Sequence, residues 1–262
     1  MSGPIDVDGD PSWRELGSGD VVLFLHGLGG TRTAWEPQLE ALSDRWRCVA
    51  WDMPGYGTSP PVVPLPFGAI ADSVVRLLDH LDVDQAHLVG LSFGGQHALH
   101  TALAAPGRVR SLVLADTSPA FGLDGTDPEE WRRARTDALD AGLTPADIAE
   151  PVLRSVTGPD FGGREFDRTI ASFGRISSDG LRAACACLPT HDVRDRLDRI
   201  ACPTLVVQGE LDEETPLAYA ELLADGIAGA RLEVIPAVGH YTPAEAPEAF
   251  NTLVRSFLES GA

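Results

Sequence analysis

The chain has 262 residues, 44% of them hydrophobic, enough to bury one sizeable core in a single domain with room for an insertion. Asp and Glu number 39 against 20 Lys and Arg, a formal net charge of -19 with no basic block or arginine stripe, which argues against nucleic acid or an anionic membrane surface as partner and leaves a small molecule. The longest apolar runs are of strand length, too short for a membrane span, and the acidic start "MSGPIDVDGDPSW" lacks the apolar stretch of a secretory signal, so a cytoplasmic location is expected.

The first apolar run, "VVLFLHG" (21–27), reads as a strand and leads into "HGLGG", a glycine-rich turn that leaves backbone N–H groups free to face a ligand. A phosphate-binding loop does not fit, because neither a Lys-Ser or Lys-Thr ending nor G-x-G-x-x-G spacing is present. "RCVAWD" (47–52) is a second strand. In "AIADSVVRLLDHLDV" (69–83), Ile70, Val74, Leu77, Leu78 and Leu81 recur at helical spacing. The strand "AHLVGLS" (86–92) then ends in Gly-Leu-Ser-Phe-Gly, residues 90–94, ahead of a further helix. A serine serving only to pack at that point could be alanine. Flanked by glycines between strand and helix, Ser92 fits the G-x-S-x-G turn that lifts a nucleophilic hydroxyl above a sheet.

"VRSLVLAD" (109–116), "PTLVVQGE" (203–210) and "ARLEVIPA" (230–237) are further strands, most of the six being apolar on both faces, as a parallel sheet covered on both sides requires. Strand and helix alternating in this way imply a doubly wound, mostly parallel α/β sheet. The alternation breaks from about Phe121 to Asp198, where four helical patterns follow one another. Residues 121–198 are therefore expected to form a helical cap inserted into a core made of 1–120 and 199–262.

A serine hydroxyl needs a base. Of seven histidines, His240 in "AVGHYTPAEAPEAF" stands in a loop after the last strand, the right place in chain order. The acid is expected between serine and histidine, and Asp212 in "QGELDEETP" is the candidate; Glu210, Glu213 and Glu214 crowd the same loop, and Asp116 is an alternative at the preceding strand end. The backbone N–H groups of Leu28 and Phe93 are expected to form the oxyanion hole. Cys185 and Cys187 near His191 and Asp192 suggest zinc only superficially, because positions two apart on a helix face different ways, and no metal or other cofactor is expected.

Taken together, "HGLGG", "DMPGYGTS" (52–59), "GLSFGG", "GELDEETP" and "GHYTPAEAPEAFNTLVRSFL" resemble successive motifs of the α/β-hydrolase superfamily along nearly the whole chain outside the cap. That resemblance implies an α/β-hydrolase fold with a Ser92, Asp212, His240 triad and a mainly structural role for Asp52 and Ser59. "RVRSLVLADTSPAFG" and "DVRDRLDRIACPTLVVQGELDEETP" look most similar to 3-oxoadipate enol-lactonases. Those enzymes tend to carry a cap tryptophan followed three residues later by arginine, whereas Trp131 is followed at that interval by Ala134, with Arg132, Arg133 and Arg135 beside it. Trp131 and Arg135 are the candidate substrate contacts. The reading is thus a hydrolase of a small ester or enol-lactone; hydrolysis of a carbon–carbon bond in a β-diketone-like ring-cleavage product, or a non-catalytic ligand receptor on the same scaffold, are the rivals.

Overall fold

The structure, a computed structural model, describes residues 11–261. The sequence expectation for the N-terminal stretch concerns residues that mostly lie outside this range. Seven strands form one sheet: β1 (Trp13–Leu16), β2 (Val21–Leu25), β3 (Arg47–Trp51), β4 (Ala86–Leu91), β5 (Val109–Ala115), β6 (Thr204–Gly209) and β7 (Arg231–Ile235). Their order is β1-β3-β2-β4-β5-β6-β7, and only β1 runs antiparallel to its neighbour. Every residue of β2, β4 and β6 is buried, as helices on both faces demand.

Helices α1 (Glu36–Leu42), α2 (Phe67–His80), α3 (Phe93–Ala104), α8 (Leu217–Gly226), the single turn α9 (Thr242–Glu245) and α10 (Pro247–Glu259) belong to this core. In α2 the side chains of Ile70, Val74, Leu77 and Leu78 are buried, the stripe that the 3.6-residue period foretells. Between β5 and β6 come α4 (Pro128–Asp140), α5 (Pro145–Val156), α6 (Gly163–Phe173) and α7 (Ser178–Cys187), the helical cap. Asp127 caps α4 by accepting from the amides of Glu129 and Glu130, and Thr144 with Asp147 forms a capping box on α5. The two stems of the cap lie side by side, with Phe121 N donating to His191 O at 2.9 Å and Val193 N to Pro119 O at 2.9 Å.

The chain runs from β2 outward to β3, then returns to place β4 on the other side of β2. At such a reversal the loops beyond the carboxyl ends of the two strands part and leave a crevice. The turn after β2 and the turn after β4 meet there, beneath the cap. No helix among the described residues is long and apolar enough to cross a membrane.

Candidate active site

Ser92 is the residue between β4 and α3, with φ +54° and ψ -118°, a conformation that L residues adopt only when the surroundings enforce it. Ser92 N donates to Ala115 O at 2.8 Å, and Thr117 Oγ1 donates to Ser92 O at 2.7 Å, fixing the turn from the β5 side. The glycines around it answer close backbone approaches. A Cβ on Gly90 would stand 2.3 Å from Gly94 O, and one on Gly94 would stand 2.0 Å from Leu25 O.

Ser92 Oγ lies 2.8 Å from His240 Nε2, and His240 Nδ1 lies 2.8 Å from Asp212 Oδ2. The geometry suits an imidazole that carries its proton on Nδ1, donates it to the carboxylate and accepts from the serine hydroxyl. Asp212 is held from several directions. Its Oδ1 accepts from the amides of Glu214 (2.9 Å) and Thr215 (3.0 Å), and its Oδ2 also accepts from Thr215 Oγ1 (2.7 Å) and Gln208 Nε2 (3.0 Å). Burial by itself would raise this carboxyl; the charge and hydrogen bond of His240, with the bonds from Thr215, outweigh it and hold Asp212 below the usual carboxylate range. For His240, burial pulls downward, and the charge and hydrogen bond of Asp212, helped by Asp116 and Glu214, lift it to about 9. Asp116, the alternative acid, does not bond to His240. Its Oδ1 accepts from Gly209 N at 2.9 Å, and its Oδ2 accepts from Thr242 N at 2.9 Å and Thr242 Oγ1 at 2.8 Å. Glu210 accepts from Ala237 N and Glu214 pairs with Arg135, so neither takes the place beside the imidazole.

Leu28 and Phe93 stand on the two turns that meet at the crevice, and among the described residues neither backbone N–H donates to a protein acceptor. The turn that carries Leu28 is fixed by its neighbours: Tyr56 Oη donates to Leu28 O at 3.0 Å, and Thr31 N donates to Ser172 Oγ of the cap at 2.9 Å. His26 pins it from below. Its Nδ1 donates to Gly27 O at 2.9 Å, its Nε2 accepts from Met53 N at 3.1 Å, and burial lowers its pKa, so it serves as a neutral brace. Asp52 and Ser59 close the same region, with Asp52 paired to Arg32 and Ser59 Oγ donating to Asp52 O at 2.7 Å.

Over Ser92 and His240 lies a cavity of about 420 Å³, walled mainly by apolar side chains of the cap, among them Ile148, Val152, Phe173 and Leu181. Trp131 and Arg135 line it, with the Arg135 guanidinium 4.1 Å from the centre of the Trp131 ring and paired with Glu214 from the loop that bears Asp212. Arg132 and Arg133 pair with Glu129 on the surface instead.

Two holding residues gave no sequence signal. Glu245 Oε2 accepts from Gly158 N (2.7 Å) and Gly239 N (3.0 Å), and its Oε1 accepts from Tyr241 N (2.9 Å), so one carboxylate braces the histidine loop and the cap together. Gln208 is buried within β6 and reads as an ordinary strand residue. In the cysteine region burial pushes the Cys185 and Cys187 thiols up to about 12, and His191 bonds through Nε2 to Ser118 O at 2.9 Å and through Nδ1 to His100 Nε2 at 3.1 Å. Among the described residues no group of three or more His, Cys, Asp or Glu is placed to hold a metal ion.

A family model described as alpha/beta hydrolase fold matches residues 20–137, and one described as TAP-like protein matches residues 171–262. A putative carbamate hydrolase RutD of Caulobacter sp. is 32% identical over 92% of this chain and 91% of its own length. A 3-oxoadipate enol-lactonase 2 of Acinetobacter baylyi is 29% identical over 91% of this chain and 88% of its own. Among solved structures, the enol-lactonase from Burkholderia xenovorans LB400 superimposes with a TM-score of 0.86 at 25% identity, covering 98% of this chain and 100% of that one.

Proposed function

The chain belongs to the α/β-hydrolase family, and from that premise we propose that it is a cofactor-independent serine hydrolase that cleaves a small ester or lactone through Ser92, His240 and Asp212. The observation that carries the reading is the unbroken chain of hydrogen bonds from Ser92 Oγ through His240 to Asp212, at 2.8 Å in both links, opening into a cavity. The hydrolase names of the relatives support the same reaction class.

In the proposed reaction Ser92 Oγ attacks the substrate carbonyl while His240 Nε2 takes the hydroxyl proton, and Asp212 stabilises the imidazolium that forms. The carbonyl oxygen, now negative, accepts from the amides of Leu28 and Phe93; loss of one such donor costs about 3–4 kcal/mol of transition-state stabilisation in a well-studied case. Collapse of the tetrahedral adduct breaks the bond to the leaving oxygen, which receives the proton from His240. Water then enters and its oxygen attacks the acyl carbon as its proton passes to His240; the second adduct collapses, breaking the bond to Ser92 Oγ, which takes that proton back from His240 as the acid leaves.

The test is a parallel screen of purified protein against aryl esters, enol-lactones and β-diketone ring-cleavage products. Turnover of an ester or lactone that vanishes in Ser92→Ala is the expected result. Turnover confined to the diketones would assign carbon–carbon hydrolysis, and binding without turnover would make the protein a receptor.

A further inference from the structure

Ser92 lies where two cavities of different chemistry meet. The second, of about 560 Å³, shares Ser92, Trp131, Arg135 and Glu214 with the apolar one. Its border carries the carboxylates of Asp124, Asp127, Glu130, Glu213 and Glu214 against the single guanidinium of Arg135, which Glu214 already neutralises. Asp124 and Asp127 are engaged with local backbone amides, Asp127 as the cap of α4, so that helix start offers no site for an anion. Among the described residues Glu130 and Glu213 have no ion-pair partner.

Gln96 supplies an independent observation. It stands one turn after Ser92 on α3, lines this second cavity and is only 4% exposed. Its Oε1 accepts no hydrogen bond among the described residues, and its Nε2 reaches only Ser118 Oγ, at 3.5 Å. A buried amide oxygen without a donor is costly, and a ligand that brings an N–H removes that cost. Phe121 and Tyr219 add aromatic rings to its lining, and the negative quadrupole of such a ring attracts a cation. A lone acceptor, unpaired carboxylates and aromatic rings together suit a primary ammonium.

From this arrangement we infer that the second cavity binds an ammonium group carried on the acyl half of the substrate, with Glu130 and Glu213 supplying the attractive charge and the Gln96 amide turning to bring its Oε1 to that group. The inference rests on the serine-hydrolase reading above. His240 borders the apolar cavity and not the acidic one. The group that departs with the proton of His240 therefore leaves on the apolar side, and the acyl portion extends past Gln96.

The experiment compares phenyl 6-aminohexanoate, phenyl heptanoate and monophenyl adipate, which present a cation, a methyl and an anion at similar reach from one leaving group. In wild type kcat/KM is expected to be at least tenfold higher for the aminoacyl ester than for the heptanoate, and lowest for the adipate. The preference for the aminoacyl ester over the heptanoate shrinks with added salt and falls to within about twofold in the Glu130→Gln/Glu213→Gln variant. Equal rates for cation and neutral ester, or preference for the anion, overturn the inference while leaving the hydrolase intact. Calorimetric titration with n-butylammonium chloride reads the cavity even if no ester is turned over, which separates failure of this inference from failure of the hydrolase reading. Binding weakened fivefold or more in the double variant supports the inference; no binding at millimolar concentration, or equal binding by both proteins, refutes it.

Discussion

Asp212 and Asp116 sit buried at the ends of the adjacent strands β6 and β5, and only Asp212 touches the imidazole of His240. Burial raises Asp116, and the charge of Asp212 raises it further, to about 7, against the opposing pull of His240 and the bonds from Thr242. The two carboxylates thus divide the work: Asp212 stays ionised against the histidine, and Asp116 ties Gly209 of β6 to Thr242 just beyond that histidine.

This division sets the pH profile. An ordinary imidazole would place the acidic limb of kcat/KM at about 6–7. His240 must be neutral to take the serine proton, and its pKa is raised, so activity should rise with pH through a midpoint above 6.5 and toward 9. Asp116→Asn removes one of the charges that retain the proton and should move the midpoint down. A pH series with a neutral ester measures both; a wild-type midpoint at or below 6.5 would contradict the electrostatics described.

Replacing Ser92 by Ala should lower turnover by about three to six orders of magnitude with little change in thermal unfolding, because the side chain lost is one hydroxyl. A fluorophosphonate probe should label wild type at Ser92. Labelling at any other serine would sink the assignment.

Stability should fall in acid. Burial lowers His87 and His191 to about 4, His100 to about 3, and His97 and His26 as well, with nearby like charges adding to it at all of them except His26. Unfolded histidines take up protons near 6.5, so the stability these groups contribute is complete above that pH and is lost as pH falls toward 3–4. His240, with its raised pKa, acts in the opposite sense: its contribution is present below 6.5 and is lost as pH rises through 9. Both ring nitrogens of His97 lack a partner among the described residues. His97→Leu should therefore be neutral or stabilising at pH 7 and should soften the acid decline, as Tm measured between pH 4 and 8 would reveal.

Glu245→Ala strips three backbone amides of one acceptor. The expected cost is about 2–4 kcal/mol in denaturant unfolding, together with a drop in kcat of about tenfold, since the histidine loop loses its brace. Glu245→Gln, which can still accept at one oxygen, should recover part of both. Unaltered unfolding in the alanine variant would count against the bracing role.

Arg135→Met tests whether the cap arginine reads substrate charge. Because Glu214 occupies the guanidinium, an anionic lactone and a neutral ester should change by similar factors, under about fivefold. A selective loss of about 30-fold on the anion, roughly 2 kcal/mol, would mean that Arg135 leaves Glu214 to hold a carboxylate.

The layered architecture was legible because six of the strands are apolar runs and the cap helices are amphipathic with clear starts. β1 escaped notice because it is a four-residue edge strand, Trp-Arg-Glu-Leu, with two charged side chains. β7 is the other edge strand, and three of its five residues, Arg231, Glu233 and Val234, are exposed. Ser92, Asp212 and His240 were legible as candidates from chain order and glycine spacing. Asp212 was the candidate by chain order, but its acidic neighbours are set apart from it only by how two loops lie together, which decides the carboxylate that reaches an imidazole 28 residues away. Glu245 and Gln96 were invisible for a similar reason. The one braces backbone amides and the other lines a cavity, placements that no local pattern encodes.

His240 N donates to Val156 O at 2.9 Å, at the end of cap helix α5, and Glu245 joins Gly158 of the cap to Gly239 and Tyr241. For anyone recombining this chain with a relative, the cap is consequently not an exchangeable cassette bounded by its two stems. A chimera that imported residues 121–198 from another parent would misplace its own histidine unless the carbonyl at 156 and the amide at 158 arrived in register. Breeding new specificities from this scaffold should cross over inside the cap, before α5, and carry the segment from α5 through the final helix as one inherited block.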